Sequence, residues 1–572
     1  MPVNVSYPGL YIEELPSSVH TITAAPTSKT VFIGYSHPFK TDPTQFGKPV
    51  EIFGFTDYQR LFGGFFRSTA FDAESGLFGD LAQAVNQFFL NGGADGYVVA
   101  LQATKNGGPL NPGSVSLGPL QFTAREITDE DHVMQITISN VNTLGSPPTS
   151  PPAGDDTCDV TITFGAPSTS ALQGYGVVTE TYRQASLSQY LATGKANPNY
   201  IATRIGTASN PVSSLVTVTV DTTQGLLQAT PANQPLQIPP VLSATDRIFA
   251  ASDFTTVLQQ DSPLDKLPIF NLMVIPGVTD NGFSAVLSTA TAFCERKRAF
   301  LIMDPPQDNS ADGSGDPAPN STAQSPDLPQ IEQTKDGATP GEIIPVSQNS
   351  GLYFPYLESN DPITGLAVDP ETNQPYEIPP SGTVAGIFAA TDLDRGVWKA
   401  PAGLETLLAN VNDVVDRGQM TDQRQGVLNL AGINCIRNFP GIGPVVFGAR
   451  TSVADNPSFQ QWKYVPVRRM ALFLEQTFYA NLGWVVFEPN DEPLWNAIRS
   501  SIESFMLGLF RQGAFQGETP SDAFQVKCDS QTTTQDDINN GIVNIVVGFA
   551  PLKPAEFVVI QITQLAGQTQ SS

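Results

Sequence analysis

Three histidines, His20, His37 and His132, are the whole imidazole supply of this 572-residue chain, and none follows residue 132. A serine or cysteine nucleophile needs a base within hydrogen-bond reach, usually imidazole, so a hydrolase in the second half would have to borrow one from far away. The turn Pro276-Gly277-Val278-Thr279-Asp280-Asn281-Gly282 has two glycines at phosphate-loop spacing, but Phe283 stands where the phosphate-neutralising lysine belongs. Neither G-x-G-x-x-G nor G-x-S-x-G occurs between a strand and a helix, which leaves dinucleotide binding and α/β-hydrolase chemistry unsupported. Cys158, Cys294, Cys435 and Cys528 are widely separated, with no C-x-x-C pair. Neither a zinc site nor a disulfide scaffold is implied, and reduced buried thiols are expected. The pairs Asp308/Asp312 and Asp392/Asp394 sit in a loop and a turn, where solvated or ion-paired carboxylates outnumber Ca²⁺ sites.

Trp398, Trp462, Trp484 and Trp495 read as core or interface packing. Arg468-Arg469 heads a helix in a segment near charge balance, so pairing with carboxylates is expected rather than a phosphate clamp. The formal charge of −26 opposes nucleic-acid binding. Nearly half of it comes from residues 304–377, where 13 carboxylates face the single Lys335, the pattern of a solvated outer face. No basic residue of a secretory signal precedes Lys29, and the apolar run Met470–Phe487 is broken by Glu475, Gln476 and Asn481. A cytoplasmic product without membrane insertion is expected.

The elements that would position these residues point to several domains. Residues 3–7 alternate and lead through a Tyr7-Pro8-Gly9 turn into Leu10-Tyr11-Ile12, an extended arm ahead of a strand at 30–35, a helix at 77–90 and a strand at 97–103. Short β-like runs at 133–139, 158–164 and 215–220 mark an inserted β-rich domain. The order strand 269–275, helix 283–296, strand 299–303 is a βαβ unit favouring a parallel sheet. Residues 305–345 read as a long exposed loop. The last third predicts helices at 468–482 and 494–509, the second started by Asn490-Asp491-Glu492-Pro493, with a strand at 483–488 between them. Strands at 524–528 and 542–549 precede a final one at 556–565. That strand, with Val558, Ile560 and Ile562 on one face and Phe557 and Val559 on the other, must be covered, either within its own chain or by strand addition to a neighbour.

Several segments resemble the contractile tail sheath family of phages and related injection systems. They include Tyr7-Pro8-Gly9-Leu10-Tyr11-Ile12, Phe88-Phe89-Leu90-Asn91-Gly92-Gly93, Met303-Asp304-Pro305-Pro306, Pro380-Ser381-Gly382-Thr383-Val384-Ala385-Gly386 and Arg395-Gly396-Val397-Trp398. The C-terminal third carries Tyr464-Val465-Pro466-Val467-Arg468-Arg469, Phe487-Glu488-Pro489-Asn490, Leu494-Trp495 and Ala550-Pro551-Leu552-Lys553-Pro554. The resemblance covers residues 1–103 and 246–565 and departs at 104–245 and in the acidic loop.

It implies an α+β multidomain fold, with an α/β subtilisin-like middle domain lacking a triad. The expected parts are an arm at 1–25, a discontinuous sheath domain at 26–103 and 246–445, and a β-rich insertion at 104–245. A compact α+β C-terminal domain at 446–553 and a strand arm at 554–572 complete the chain. It further implies a structural, non-enzymatic subunit without cofactor or metal, polymerising as stacked hexameric rings around an inner tail tube. Baseplate, terminal cap proteins and, in some particles, sheath paralogues are its other partners. Assembly is expected in the bacterial cytoplasm. The arms, through Val3, Val5, Tyr7, Tyr11, Ile12, Phe557, Val558, Val559, Ile560 and Ile562, would add strands to neighbouring copies. Arg468, Arg469, Trp484, Asn490 and Trp495 would build the C-terminal packing and interface. The rivals are a hydrolase on the α/β domain and an exported adhesin or surface-layer protein.

Overall fold

The computed structural model describes residues 20–66, 80–105, 108–142, 157–167, 169–191, 193–221, 229–231, 234–242, 250–278, 284–305, 345–368, 370, 373, 375–415, 420–557, 559 and 561. The chain divides into two compact units, one of residues 26–394 and 401–463, the other of 1–25, 395–400 and 464–572.

The larger unit is built on an eight-stranded sheet in the order Pro49–Ile52, Gly96–Leu101, Thr30–Tyr35, Leu272–Val274, Phe300–Met303, Ser350–Phe354, Ile433–Phe439, Gly443–Val446. The six inner strands run parallel and the two edge strands antiparallel. Thr30–Tyr35 is buried at every position, as a strand covered on both faces must be, which explains why Val31, Phe32 and Ile33 follow one another without polar alternation. The expected βαβ unit is present as Leu272–Val274, the helix Ser284–Lys297 and Phe300–Met303, with Leu272 opposite Phe300. The helix Ser381–Arg395 presses against the helix Asp80–Leu90 closely enough that a Cβ on Gly382 would lie 2.5 Å from the Ala84 Cα. Only glycine permits that approach.

Between Gly96–Leu101 and Leu272–Val274 the chain forms a four-stranded sheet (Val178–Ser186, Thr157–Gly165, Val133–Asn142, Leu236–Ile238) and a three-stranded sheet (Val216–Val220, Leu120–Ala124, Ser114–Leu117). Their inward residues, among them Phe122, Ile136, Val160, Ile162 and Val218, make a separate core.

The smaller unit pairs two helices, Val465–Asn481 and Glu492–Arg511. Met470, Phe473 and Leu474 of the first meet Leu494, Ile498, Ile502 and Leu509 of the second in one core. Asp491 caps the second helix by accepting from the Leu494 N–H at 3.2 Å, and Gly513 at φ 78° follows its end. The entering chain is tied to the first helix: Ile22 joins the core, and Asn481 exchanges two hydrogen bonds with the Thr23 backbone.

One strand expectation needs correction. Gly483–Val485 is a 3₁₀ turn, followed by a tight turn rather than a strand over 483–488. An apolar run mimics a strand in sequence, but the short link between antiparallel helices must reverse direction. The final strand expected at 556–565 lies largely outside the described residues, of which it includes Glu556, Phe557, Val559 and Gln561.

Candidate assembly surface

The carboxyl edge of the parallel sheet, where α/β folds place ligands, is satisfied from within. Asp304, at the end of Phe300–Met303, is fully buried and accepts from the Gly277 N–H at 3.0 Å and from the Ser381 N–H and hydroxyl, each at 2.7 Å. Burial pushes its carboxyl up to about 6 despite these donors. Ser381 is thereby committed: its hydroxyl proton points at a carboxylate, it is buried, and it opens a helix whose first amide is already capped. A serine so held is a structural joint between strand end and helix start.

The histidines are also tied up. His37, wholly buried just past Thr30–Tyr35, has its Nδ1 accepting from the Phe39 N–H at 3.2 Å, so Nε2 carries the proton and donates to the Glu126 Oε2 at 2.9 Å. The other Glu126 oxygen takes the Lys40 ammonium. Burial drives the His37 pKa down in spite of Glu126, leaving neutral imidazole. Burial would raise Glu126, but His37 and Lys40 together hold it below the ordinary carboxylate range. Glu126 follows the strand Leu120–Ala124, so this cluster fastens the root of the β-rich segment to the main sheet. His132 pairs with Asp129 at 2.9 Å, and His20 stacks on Trp484 at 3.8 Å. The four cysteines are free and buried, and burial lifts the Cys158 thiol to about 12. Among the described residues no group of three His, Cys, Asp or Glu is placed to hold a metal, and no helix is long and apolar enough to cross a membrane.

Unfinished chemistry lies instead in the smaller unit, as backbone. Phe524–Lys527 and Val546–Phe549 form a two-stranded sheet, and no third strand joins it among the described residues. Such a pair leaves a row of amide and carbonyl groups open along each edge. Nearby in sequence the chain runs out through Phe557 and Val559, 72% and 82% exposed, after Glu556 accepts from the Tyr464 hydroxyl at 3.3 Å. Trp495 is buried with its indole N–H on Asn490 Oδ1 at 2.9 Å, while the Asn490 amide reaches the Ile542 carbonyl at 2.9 Å. Arg468 and Arg469 are buried, and Arg468 pairs with Glu475 at 3.4 Å. Val3, Val5, Tyr7, Tyr11, Ile12, Val558, Ile560 and Ile562 lie outside the described residues, as do Asp308 and Asp312. The His37–Glu126–Lys40 cluster and the Asp304–Ser381 joint were not singled out from sequence. The only signal for the latter was that both residues fall in family-like segments.

Comparison with known proteins agrees with an assembly protein. Residues 268–452 match the phage tail sheath protein central domain, and 458–564 match the phage tail sheath C-terminal domain. A tail sheath protein of Vibrio phage KVP40 is 26% identical over 187 residues, 32% of this chain and 26% of that protein. A putative prophage major tail sheath protein of Pseudomonas aeruginosa (strain UCBPP-PA14) is 27% identical over 291 residues, 50% of this chain and 62% of that protein. The aligned stretches thus span less than two thirds of either relative. A sheath complex of an extracellular contractile injection system in the contracted state matches in fold, with TM-score 0.54 and 20% identity, over 98% of this chain and 99% of that one. The helical sheath of the anti-feeding prophage, also contracted, matches with TM-score 0.53 and 22% identity over the same shares.

Proposed function

The chain belongs to the phage tail sheath family, and from that premise we propose that it is the structural subunit of a contractile sheath on a phage tail or tail-like injection particle. Copies would stack as hexameric rings around an inner tube, with baseplate and cap proteins at the ends, after assembly in the bacterial cytoplasm. The observation that carries this reading is the two-stranded sheet of the smaller unit, joined by no third strand among the described residues and followed by the exposed Phe557 and Val559. Two strands alone are marginal in water, and an incoming strand completes the ladder.

In this mechanism the part of the 1–25 arm ahead of residue 20 and the arm at 554–572 leave their own subunit and pair in the sheets of neighbours, while Ile22, Thr23 and Ala25 keep the first arm rooted on the Val465–Asn481 helix. Each backbone hydrogen bond contributes about 1 kcal/mol net, so an arm making several is firmly held yet free to pivot. Contraction draws on apolar area newly buried between copies, at roughly 25 cal/mol per Å². No catalytic group is needed, in keeping with the commitment of Ser381 to Asp304 and of each histidine to its own partner. The strand order around Thr30–Tyr35 supports a subtilisin-like scaffold for the middle domain, kept as architecture without the triad.

Deleting residues 556–572 tests the reading. The expected product is a folded monomer that forms no hollow cylinders by negative-stain microscopy. Long, normal cylinders from the truncated protein would refute the arm mechanism.

A further inference from the structure

Phe487 occupies a backbone position that its side chain does not explain. The Glu488 N–H donates to the Val485 carbonyl at 3.2 Å, Val486 sits at φ −70°, ψ 127°, and Phe487 at φ 72°. These are the angles of a type II turn with Phe487 at its third position, where the left-handed conformation calls for glycine or asparagine. A bulky aromatic there is an outlier, and such strain persists where the surroundings enforce it and a function uses it. Among the described residues nothing repays it: the Phe487 ring is fully exposed, and the neighbouring Val486 is exposed as well.

The turn is rigidly mounted. On one side Trp484 and Val485 pack against the core of the smaller unit, with Trp484 stacked on His20. On the other, Asn490 is held by Trp495 and Ile542, and Asp491 caps the following helix. A mobile loop tip would shed the strain. This one displays an aromatic ring at a fixed point, the geometry of an anchor residue.

Resting on the subunit reading above, we infer that Phe487 is an anchor buried by a second copy of this chain. Copies carrying a charge of −26 repel one another, so their contact must be driven by apolar burial. The same chain also exposes Leu404, Leu407 and Leu430 on its larger unit, apolar side chains that burial against a second copy would take out of water. An anchor that is buried by a different surface of the next copy makes a head-to-tail contact, which propagates into rings or helices instead of closing as a pair.

The test combines Phe487→Asn and Phe487→Leu with a photo-crosslinking phenylalanine analogue at 487 in assembled particles. Asparagine suits the turn, so F487N monomer should melt no lower than wild type. Its concentration for cylinder formation should nonetheless rise at least about tenfold, the effect of losing one aromatic anchor, with F487L recovering most of the loss. The crosslink should give a covalent dimer of this chain. F487N assembling at the wild-type concentration, or a crosslink to the tube protein instead, would overturn the anchor and leave the sheath reading standing. Wild-type protein that makes no cylinders would overturn the sheath reading itself.

Discussion

Replacing Asp304 by asparagine removes one unusual titration from the folded chain. In the unfolded state this carboxyl has its ordinary pKa of 3.8, whereas in the fold burial raises it to about 6. Both states bind the proton below about pH 4, so no penalty exists there. Between about 4 and about 6 the unfolded state ionises freely while the folded state resists. Above about 6 the fold carries a buried carboxylate at full cost. The contribution of Asp304 to stability therefore falls as pH rises through that window, by about 3 kcal/mol at 1.36 kcal/mol per pKa unit, and is flat beyond it. Most other shifted acids, such as Glu51, Asp57 and Asp265, have lowered pKa values and tilt stability the opposite way. The quantity to measure is thus the difference between wild type and D304N. Asparagine keeps an oxygen for the Gly277 and Ser381 hydroxyl donors but turns its amide toward the Ser381 N–H, an offset that does not vary with pH. Hydrogen-exchange protection of the 381–395 helix, followed from pH 4 to 8, reports the opening locally without requiring a two-state unfolding of both units. The wild-type advantage should shrink by about 3 kcal/mol up to pH 6 and then hold constant. Parallel curves, or an advantage that grows with pH, would show that this carboxyl is not the buried, strained group described.

Two further outcomes follow from close packing and from charge. Gly382→Ala should lower the melting temperature of the larger unit, because its Cβ meets the Ala84 backbone at 2.5 Å and overpacking of about 1–3 kcal/mol exceeds the helix-propensity gain; unchanged calorimetry would refute the close crossing. Glu126→Gln should cost about 3 kcal/mol in urea unfolding, since the new amide faces the His37 Nε2–H and Lys40 loses its counter-charge, and a loss under 1 kcal/mol would mean that the cluster does not fasten the β-rich segment.

What could be read in advance followed from local rules. Val31-Phe32-Ile33 and Phe300–Met303 are unmixed apolar runs because both faces are covered, and Asp491-Glu492-Pro493 announces a helix start whatever lies around it. The stretch after Asn481 misled for the converse reason. Trp484, Val485, Val486 and Phe487 look like a strand, and a phenylalanine in a glycine slot gives no turn signal. The His37–Glu126 pairing joins residues 89 apart across a change of domain texture, and Asp304 meets Ser381 from 77 residues away. Periodicity carries no information about such partners. The final apolar segment illustrates a third limit, since alternation prepares a chain for a sheet but cannot supply the neighbouring strand.

The hairpin of Phe524–Lys527 and Val546–Phe549 has a thermodynamic corollary. An open ladder behaves as a receptor for extended peptide, so any strand that docks on it stabilises the unit by mass action. Under the proposed strand addition the heat resistance of this unit would belong to no isolated molecule: it would rise with the local supply of strand, whether tethered to an adjacent copy or added as a free synthetic peptide.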